Sequence, residues 1–167
     1  MSIFDTLIYN RTQADRDALD ALLRKAKEGS LSEAEWAAFA LGQHRGAYNH
    51  TDLNRVITAQ ETLLERLHRY GYATPGYAPV EVTEGRRRWM FSDVPTPAQL
   101  EQYLANTAAL RSAVPVYAST PRPPADMVGL TIAEANAIER ILVDVDDLLQ
   151  KIAAAWFRSG ELQSGEI

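Results

Sequence analysis

Three histidines, His44, His50 and His68, are the first candidates for metal binding or proton transfer. They lack HExxH or any other close pairing, the spacing that lets a helix present two imidazoles to one zinc ion. Their expected roles are on the surface or at helix ends. Asp144, Asp146 and Asp147 form an acidic cluster, but without the glycine and closing glutamate of a calcium loop. Asp144 and Asp147 share a helix face with Arg140 and Lys151, so the cluster reads as a solvated, charge-paired face. Arg86, Arg87 and Arg88 precede Trp89. Such a run can touch phosphates while the indole stacks a base. It equally describes an exposed loop or an edge strand protected by charge. Asn49, Asp52, Asn54 and Arg55 are either a binding surface or residues fixing a turn and a helix start through local hydrogen bonds, the favoured reading. No GxSxG, P-loop or GxGxxG motif occurs. No catalytic residue, cofactor or metal is therefore assigned, and an enzyme is not expected.

The elements that hold these residues follow from composition and periodicity. The chain of 167 residues is long enough for one domain with a sizeable core, and 46% hydrophobic with 23% charged residues marks it as globular. A net charge of −5 weighs against a dedicated nucleic-acid binder, which needs a basic footprint. Cysteine is absent, so disulfides and thiolate metal sites are excluded. No apolar run approaches the ~20 residues that span a bilayer, and the first residues lack the pattern of a secretion signal.

Helix starts are well marked. Thr12 with Asp15, Ser30 with Glu33 or Ser32 with Glu35, Thr96-Pro97 with Gln99, and Thr131 with Glu134 all match the capping box. Thr51-Asp52 opens a further helix running to about Tyr70, preceded by Gly46 as a flexible hinge; Leu53, Val56, Ile57, Leu64 and Leu67 give it an apolar stripe. Glu65 and Arg69 are spaced as a solvent-face pair. Trp36, Phe39 and Ala40 are expected to form the apolar face of a short second helix. The last helix, from Thr131 to about Phe157 or Arg158, repeats apolar residues every seven: Ile138, Val145 and Ile152; Ile141, Leu148 and Ala155; Leu142, Leu149 and Trp156. That stripe is too wide for a two-stranded seam and suits burial in a bundle.

The expected fold is mainly α, about five helices in a bundle whose long C-terminal helix packs on those starting at Thr51 and Thr96. Residues 1–158 form a single domain. It carries a loop excursion at 72–95, in which residues 80–91 have the short alternation of a small β-hairpin, and a proline-rich connector at 114–130. Residues 159–167 are a tail that its glycines take out of the helix. Ile3–Tyr9 reads as a strand or an arm. Phe4, Leu7 and Ile8 near one end, Trp156 and Phe157 near the other, and Arg86, Arg87, Arg88 and Trp89 between them are the candidate partner contacts. The apolar ones either complete the core or dock on other subunits.

Several segments together carry a resemblance: IFDTLIYNRTQAD, GAYNHTDLNRV, DVPTPAQLEQYLANTAALRSA, LTIAEANAIERILVDVDDLL and AAWFRSGELQSGE. In this order they resemble a family of uncharacterised small proteins encoded in phage and prophage structural-gene regions of Gram-positive bacteria. Residues 72–91 have no counterpart in that pattern. The resemblance brings no catalytic residues. It implies a non-enzymatic virion component of the tail, baseplate or fibre region, working through contacts with other virion proteins and with copies of itself. Such a component would reside in the virion, and in the cytoplasm of the producing bacterium before assembly. The alternative is a bacterial helical adaptor or regulator that binds its partner through residues 46–55.

Overall fold

The computed structural model describes residues 1–164, with side chains placed through Trp156. A 3-10 turn, Ile3–Thr6, leads into five α-helices: α1 (Gln13–Lys27), α2 (Glu33–Ala40), α3 (His50–Arg69), α4 (Pro97–Ser112) and α5 (Ile132–Ser164). The mainly helical class and the dominant final helix are as expected. The helix starts follow the capping chemistry. Thr12, Ser32 and Thr96 each accept the amide of the third helical residue while that residue's side chain accepts from the cap's own N–H. At Thr131 the hydroxyl accepts from Glu134 N at 3.2 Å and Glu134 Oε2 accepts from Thr131 N at 2.9 Å. In α3 the cap is Asn49 rather than Thr51. Asn49 Oδ1 accepts from Thr51 N and Asp52 Oδ2 accepts from Asn49 N, both at 2.9 Å, so the cap lies two residues earlier than the Thr51 reading.

The core is a three-helix body in which α3, α4 and α5 all pack on one another. Val56, Leu63 and Leu67 from α3, Leu110 from α4, and Ile138, Ile141, Leu142 and Val145 from α5 are sealed from solvent. These are the positions at which the helical stripes converge, and each buried aliphatic side chain contributes on the order of 1.5–3 kcal/mol. Helix α1 buries only Leu19 and Leu22, outside this main cluster, and α2 buries nothing. The two are joined by an ion pair, Lys25 Nζ to Glu35 Oε1 at 2.5 Å. They form a flank to the body rather than part of it.

Asparagines from the three core helices fasten the irregular segments. Asn54 of α3 accepts from Trp89 N at 2.7 Å and donates to Trp89 O at 2.8 Å. Asn106 of α4 does the same to Ala78, at 3.0 and 2.8 Å. Asn136 of α5 does so to Arg11, at 2.8 and 3.0 Å. A carboxamide offers one donor and one acceptor side by side, matching one residue's N–H and C=O. Each clamp thus replaces the ladder partner that a strand would have supplied.

Several expectations are corrected. Ile3–Tyr9 is neither strand nor projecting arm; it begins as the 3-10 turn, and Phe4 and Leu7 enter the core. Residues 80–91 do not build a hairpin. Among the described residues the segment has one isolated bridge, Thr83 with Arg86, around Gly85, whose φ of 74° closes the tight turn. Pairing stops there because the backbone of Trp89 is bonded to Asn54 instead. Gly46 is a close-packing position, not a hinge: a Cβ there would overlap the Asp15 carbonyl and come within 3.0 Å of Arg16 Cα. The proline-rich connector at 114–130 is tied to α4 and α5. Thr120 Oγ1 bonds Asp144 at 2.7 Å, Tyr117 bonds Asp147 at 2.6 Å, and Arg111 Nε donates to Pro121 O at 2.7 Å. Helix α5 continues through Ser159 and Gly160 to Ser164, about 50 Å in all, instead of yielding to a tail at 159. One glycine costs only about 1 kcal/mol in a helix, and Leu162 and Gln163 beyond it are good helix formers. Residues 165–167 of the expected tail lie outside the described residues. Glu65 and Arg69 form no ion pair among the described residues.

Candidate functional site

Beneath the N-terminal segment lies a buried cluster of four charges. Glu139 of α5 is fully buried. Its carboxylate accepts from Arg11 Nη2 at 2.7 Å, from Arg55 Nε and Nη2 at 3.2 Å each, and from Ile8 N at 2.5 Å. Asp52 Oδ1 accepts from Arg11 Nη2 at 2.6 Å and also pairs with Arg55. Arg11 donates further to the Ile8 carbonyl and lies over the Tyr48 ring, 5.2 Å from its centroid. Two guanidiniums and two carboxylates cancel, which is the condition for holding charge in a low-dielectric interior. Burial works against the Arg55 cation, but the hydrogen bonds and charge of Glu139 and Asp52 outweigh it and raise its pKa above the ordinary guanidinium value. The adjoining phenols of Tyr48 and Tyr103 share a 2.5 Å hydrogen bond. Burial first, then for Tyr48 the charge of Glu139 and for Tyr103 the contact with Tyr48, push both well above the ordinary tyrosine value, so both are neutral. The cluster ties the N-terminal segment, α3 and α5 together.

Residues 46–55 are thereby spent on the fold. Asn49 caps α3, Asp52 and Arg55 belong to the charge cluster, Asn54 holds Trp89, and Tyr48 bonds Tyr103. Part of the local-hydrogen-bond reading holds, since Asp52 closes its own capping box. The long-range half was not visible in the sequence.

Of the candidate contact residues, Phe4, Leu7 and Trp89 are buried in the core and Ile8 is half-buried, so the first three offer no surface to a partner in this fold. A buried Trp89 also cannot stack a base. Arg86 is held by Asp93 through two bonds of 2.6 and 2.8 Å, and Arg88 by Glu61 at 2.5 Å; Arg87 is exposed. The hydrogen bond from Arg86, then that from Met90 N, lowers Asp93 to about 2. Trp156 is 57% exposed, its ring meeting Tyr70 edge-on at 6.1 Å. The Phe157 side chain lies outside the described residues. The acidic cluster on α5 is not a solvated face. Asp144 and Asp146 are buried, Asp144 paired with Arg140 and Thr120, Asp146 with Arg66 and Gln150. Burial raises the Asp146 pKa against the opposing charge of Arg66. Asp147 remains at the surface with Lys151 at 2.8 Å.

The most distinctive surface is one the sequence reading assigned elsewhere. The expectation has Trp36 (51% exposed) and Phe39 on the apolar face of a short helix, and Phe91 (54% exposed) in a hairpin strand. They meet instead at the surface. Trp36 and Phe39 are edge-to-face at 6.1 Å, Phe39 and Phe91 at 6.0 Å, and His50 and Phe91 at 6.0 Å. Met90, at 58% exposed, is Phe91's chain neighbour. The result is an aromatic cluster at the rim of the domain, two of its rings borne by a helix with no buried residue. The available signal was the sequence of α2 itself, EAEWAAFA, whose apolar residues gather on no single face.

No helix among the described residues is long and apolar enough to cross a membrane. No protein-family model, no curated protein and no solved structure matches the chain.

Proposed function

We propose that this protein is a non-enzymatic structural component of a phage virion, of the tail, baseplate or fibre region, acting through protein–protein contacts. The observation that carries the reading is α2. Its apolar residues are not confined to one face, it buries none of them, and its Trp36 and Phe39 meet Phe91 in one aromatic cluster at the surface. Such a helix is incomplete alone and complete against a partner. The outer end of α5, with Trp156 at the surface, is a second contact region some distance along the chain. Two contact regions on one rigid helical body suit a repeated part of an assembly, and homo-oligomers with closed symmetry are the common arrangement for such parts. The virion assignment itself rests on the resemblance in the five segments quoted above.

The test is light scattering of the purified chain alone and after mixing with tail particles lacking it. The expected result is self-association or incorporation that Trp36→Ser with Phe91→Ser abolishes while leaving the helical circular dichroism intact. A strict monomer that also fails to join tail particles overturns the proposal.

A further inference from the structure

The aromatic cluster at α2 is flanked by opposite charges at its two ends. The C-terminal end of α2 is held at the start of α3, where the Gly42 carbonyl accepts from Asn49 Nδ2 at 3.2 Å and from Thr51 Oγ1 at 3.3 Å. Helix α2 lies along none of the core helices, so its own start, with Glu33, stands about 12 Å out from that junction. Glu33 precedes Trp36 by three positions and shares its face. On the other side of the cluster the chain follows α3. Phe91 meets His50 at the start of that helix, Trp89 is bonded to Asn54 one turn on, and Arg88 to Glu61 two turns further. The rings therefore lie between an acidic end and a basic one. At the basic end Asp93 and Glu61 neutralise Arg86 and Arg88, leaving Arg87 exposed. Glu84, at the tip of the turn from Thr83 to Arg86, is farther from Phe91 along the chain. At the acidic end Glu35 is paired with Lys25, leaving Glu33 exposed. Neither Glu33 nor Arg87 has an ion pair among the described residues. Their reach is similar. Glu33 is about 9 Å along the helix from Phe39, and the chain from Arg87 to Phe91 spans at most about 13 Å.

The apolar centre has the size of a dimer contact. Trp36, Met90 and Phe91 each leave more than half of their surface to solvent, and Phe39 is partly exposed. At ~200 Å² for a side chain of this size, the four offer roughly 350 Å² of apolar surface. One side of a standard interface buries about 800 Å², of which about 450 Å² is apolar. The cluster thus supplies most of what one side needs, with Glu33 and Arg87 at its polar rim.

We propose that the occupant of this surface is a second copy of the chain, docked about a two-fold axis through the Phe39–Phe91 contact, with Glu33 of each copy beside Arg87 of the other. A two-fold contact uses the same patch on both copies, so the patch must complement itself. An apolar centre between one acidic and one basic end does so under that rotation. The proposal rests on the reading of α2 as a contact surface and names what covers it.

The experiment is sedimentation velocity of the full chain as wild type, as Glu33→Arg, as Arg87→Glu, and as an equimolar mixture of the two variants. Wild type is expected to form a concentration-dependent dimer. Each variant alone sets like charge against like charge at both ends of the contact, and its self-association should weaken about tenfold. In the mixture the new arginine of one variant faces the new glutamate of the other, and the native Arg87 faces the native Glu33. A heterodimer of near wild-type affinity should therefore form. Variants that dimerise as tightly as wild type, or a mixture that associates no better than its components, overturn the proposal. So does a wild-type chain that stays monomeric; if that monomer still joins tail particles, the assembly reading stands without the two-fold contact. Rescue in the mixture by a protein absent from virions supports the contact and overturns only the virion assignment.

Discussion

Replacing Glu139 by glutamine tests the buried cluster with almost no change in shape. The wild-type carboxylate takes four donors: Arg11 Nη2, Arg55 Nε and Nη2, and the amide of Ile8. Glutamine offers one acceptor oxygen and turns an NH₂ toward donors that it cannot satisfy. The cluster passes from neutral to one net positive charge, with Asp52 left to balance both Arg11 and Arg55. Breaking a buried ion network by removing one partner costs about 3–5 kcal/mol, against a total stability of roughly 5–15 kcal/mol for a domain. At about 2–4 °C per kcal/mol for a chain of this size, the melting temperature should fall by roughly 6–20 °C. Urea unfolding followed by far-ultraviolet circular dichroism measures the change. Adding Arg55→Met removes the surplus cation, so the double variant should be less destabilised than the sum of the singles. A loss below about 1 kcal/mol for Glu139→Gln, or strict additivity in the double variant, would refute the account of a mutually balanced cluster.

Further outcomes follow from the same geometry. Gly46→Ala should destabilise the fold by about 1–3 kcal/mol, read from the urea midpoint, because its Cβ would press on the Asp15 backbone rather than on a side chain able to move; an unchanged midpoint would mean that α1 does not sit against residue 46. Asn54→Ala removes both bonds to the Trp89 backbone and should cost about 1–3 kcal/mol, with a red shift in tryptophan emission as residues 86–93 loosen; retention of a buried emission component would argue against the clamp. Glu35 is lowered to about 2 by the hydrogen bond from Lys25 and those from Ser32. Because the folded value lies below the ordinary 4.5, its contribution is present above that pH and is lost as pH falls toward 2. A carbon-detected titration of Glu35 should show the low midpoint, moving up in Lys25→Gln; a wild-type midpoint near 4.5 would break the α1–α2 link.

Local chemistry was legible where it acts within a few residues. The boxes at Thr12, Thr96 and Thr131, and the seven-residue repeats through Ile138 and Leu142, carry their signal inside one helical turn or stripe. They account for α1, α4 and α5 and for the three-helix core. What the sequence hid acts at long range. Arg11 and Glu139 are 128 positions apart, and neither has a neighbour that announces the other. Glu139 does sit between Ala135 and Leu142 on the wide apolar stripe of α5, the one local hint that its charge is buried. The asparagine clamps are invisible for the same reason: Asn106 in α4 looks like any polar helix residue until Ala78 is brought against it. Residues 80–91 show the converse. Their short alternation suggests strands, but the backbone partner is a side chain on α3, so no second strand is required. Helix α2 shows the limit of an apolar face as a signal: Trp36 and Phe39 mark one, but nothing within the helix says whether the core or the surface receives it, and the structure leaves Trp36 at the surface.

The central claim is that this chain is built into a virion, and quantitative mass spectrometry of purified virions tests it most directly. The account predicts the protein among the virion components at a fixed copy number in a simple ratio to the tail proteins. Its absence from particles that carry a full complement of tail proteins, with the chain found only in the lysate, would contradict it.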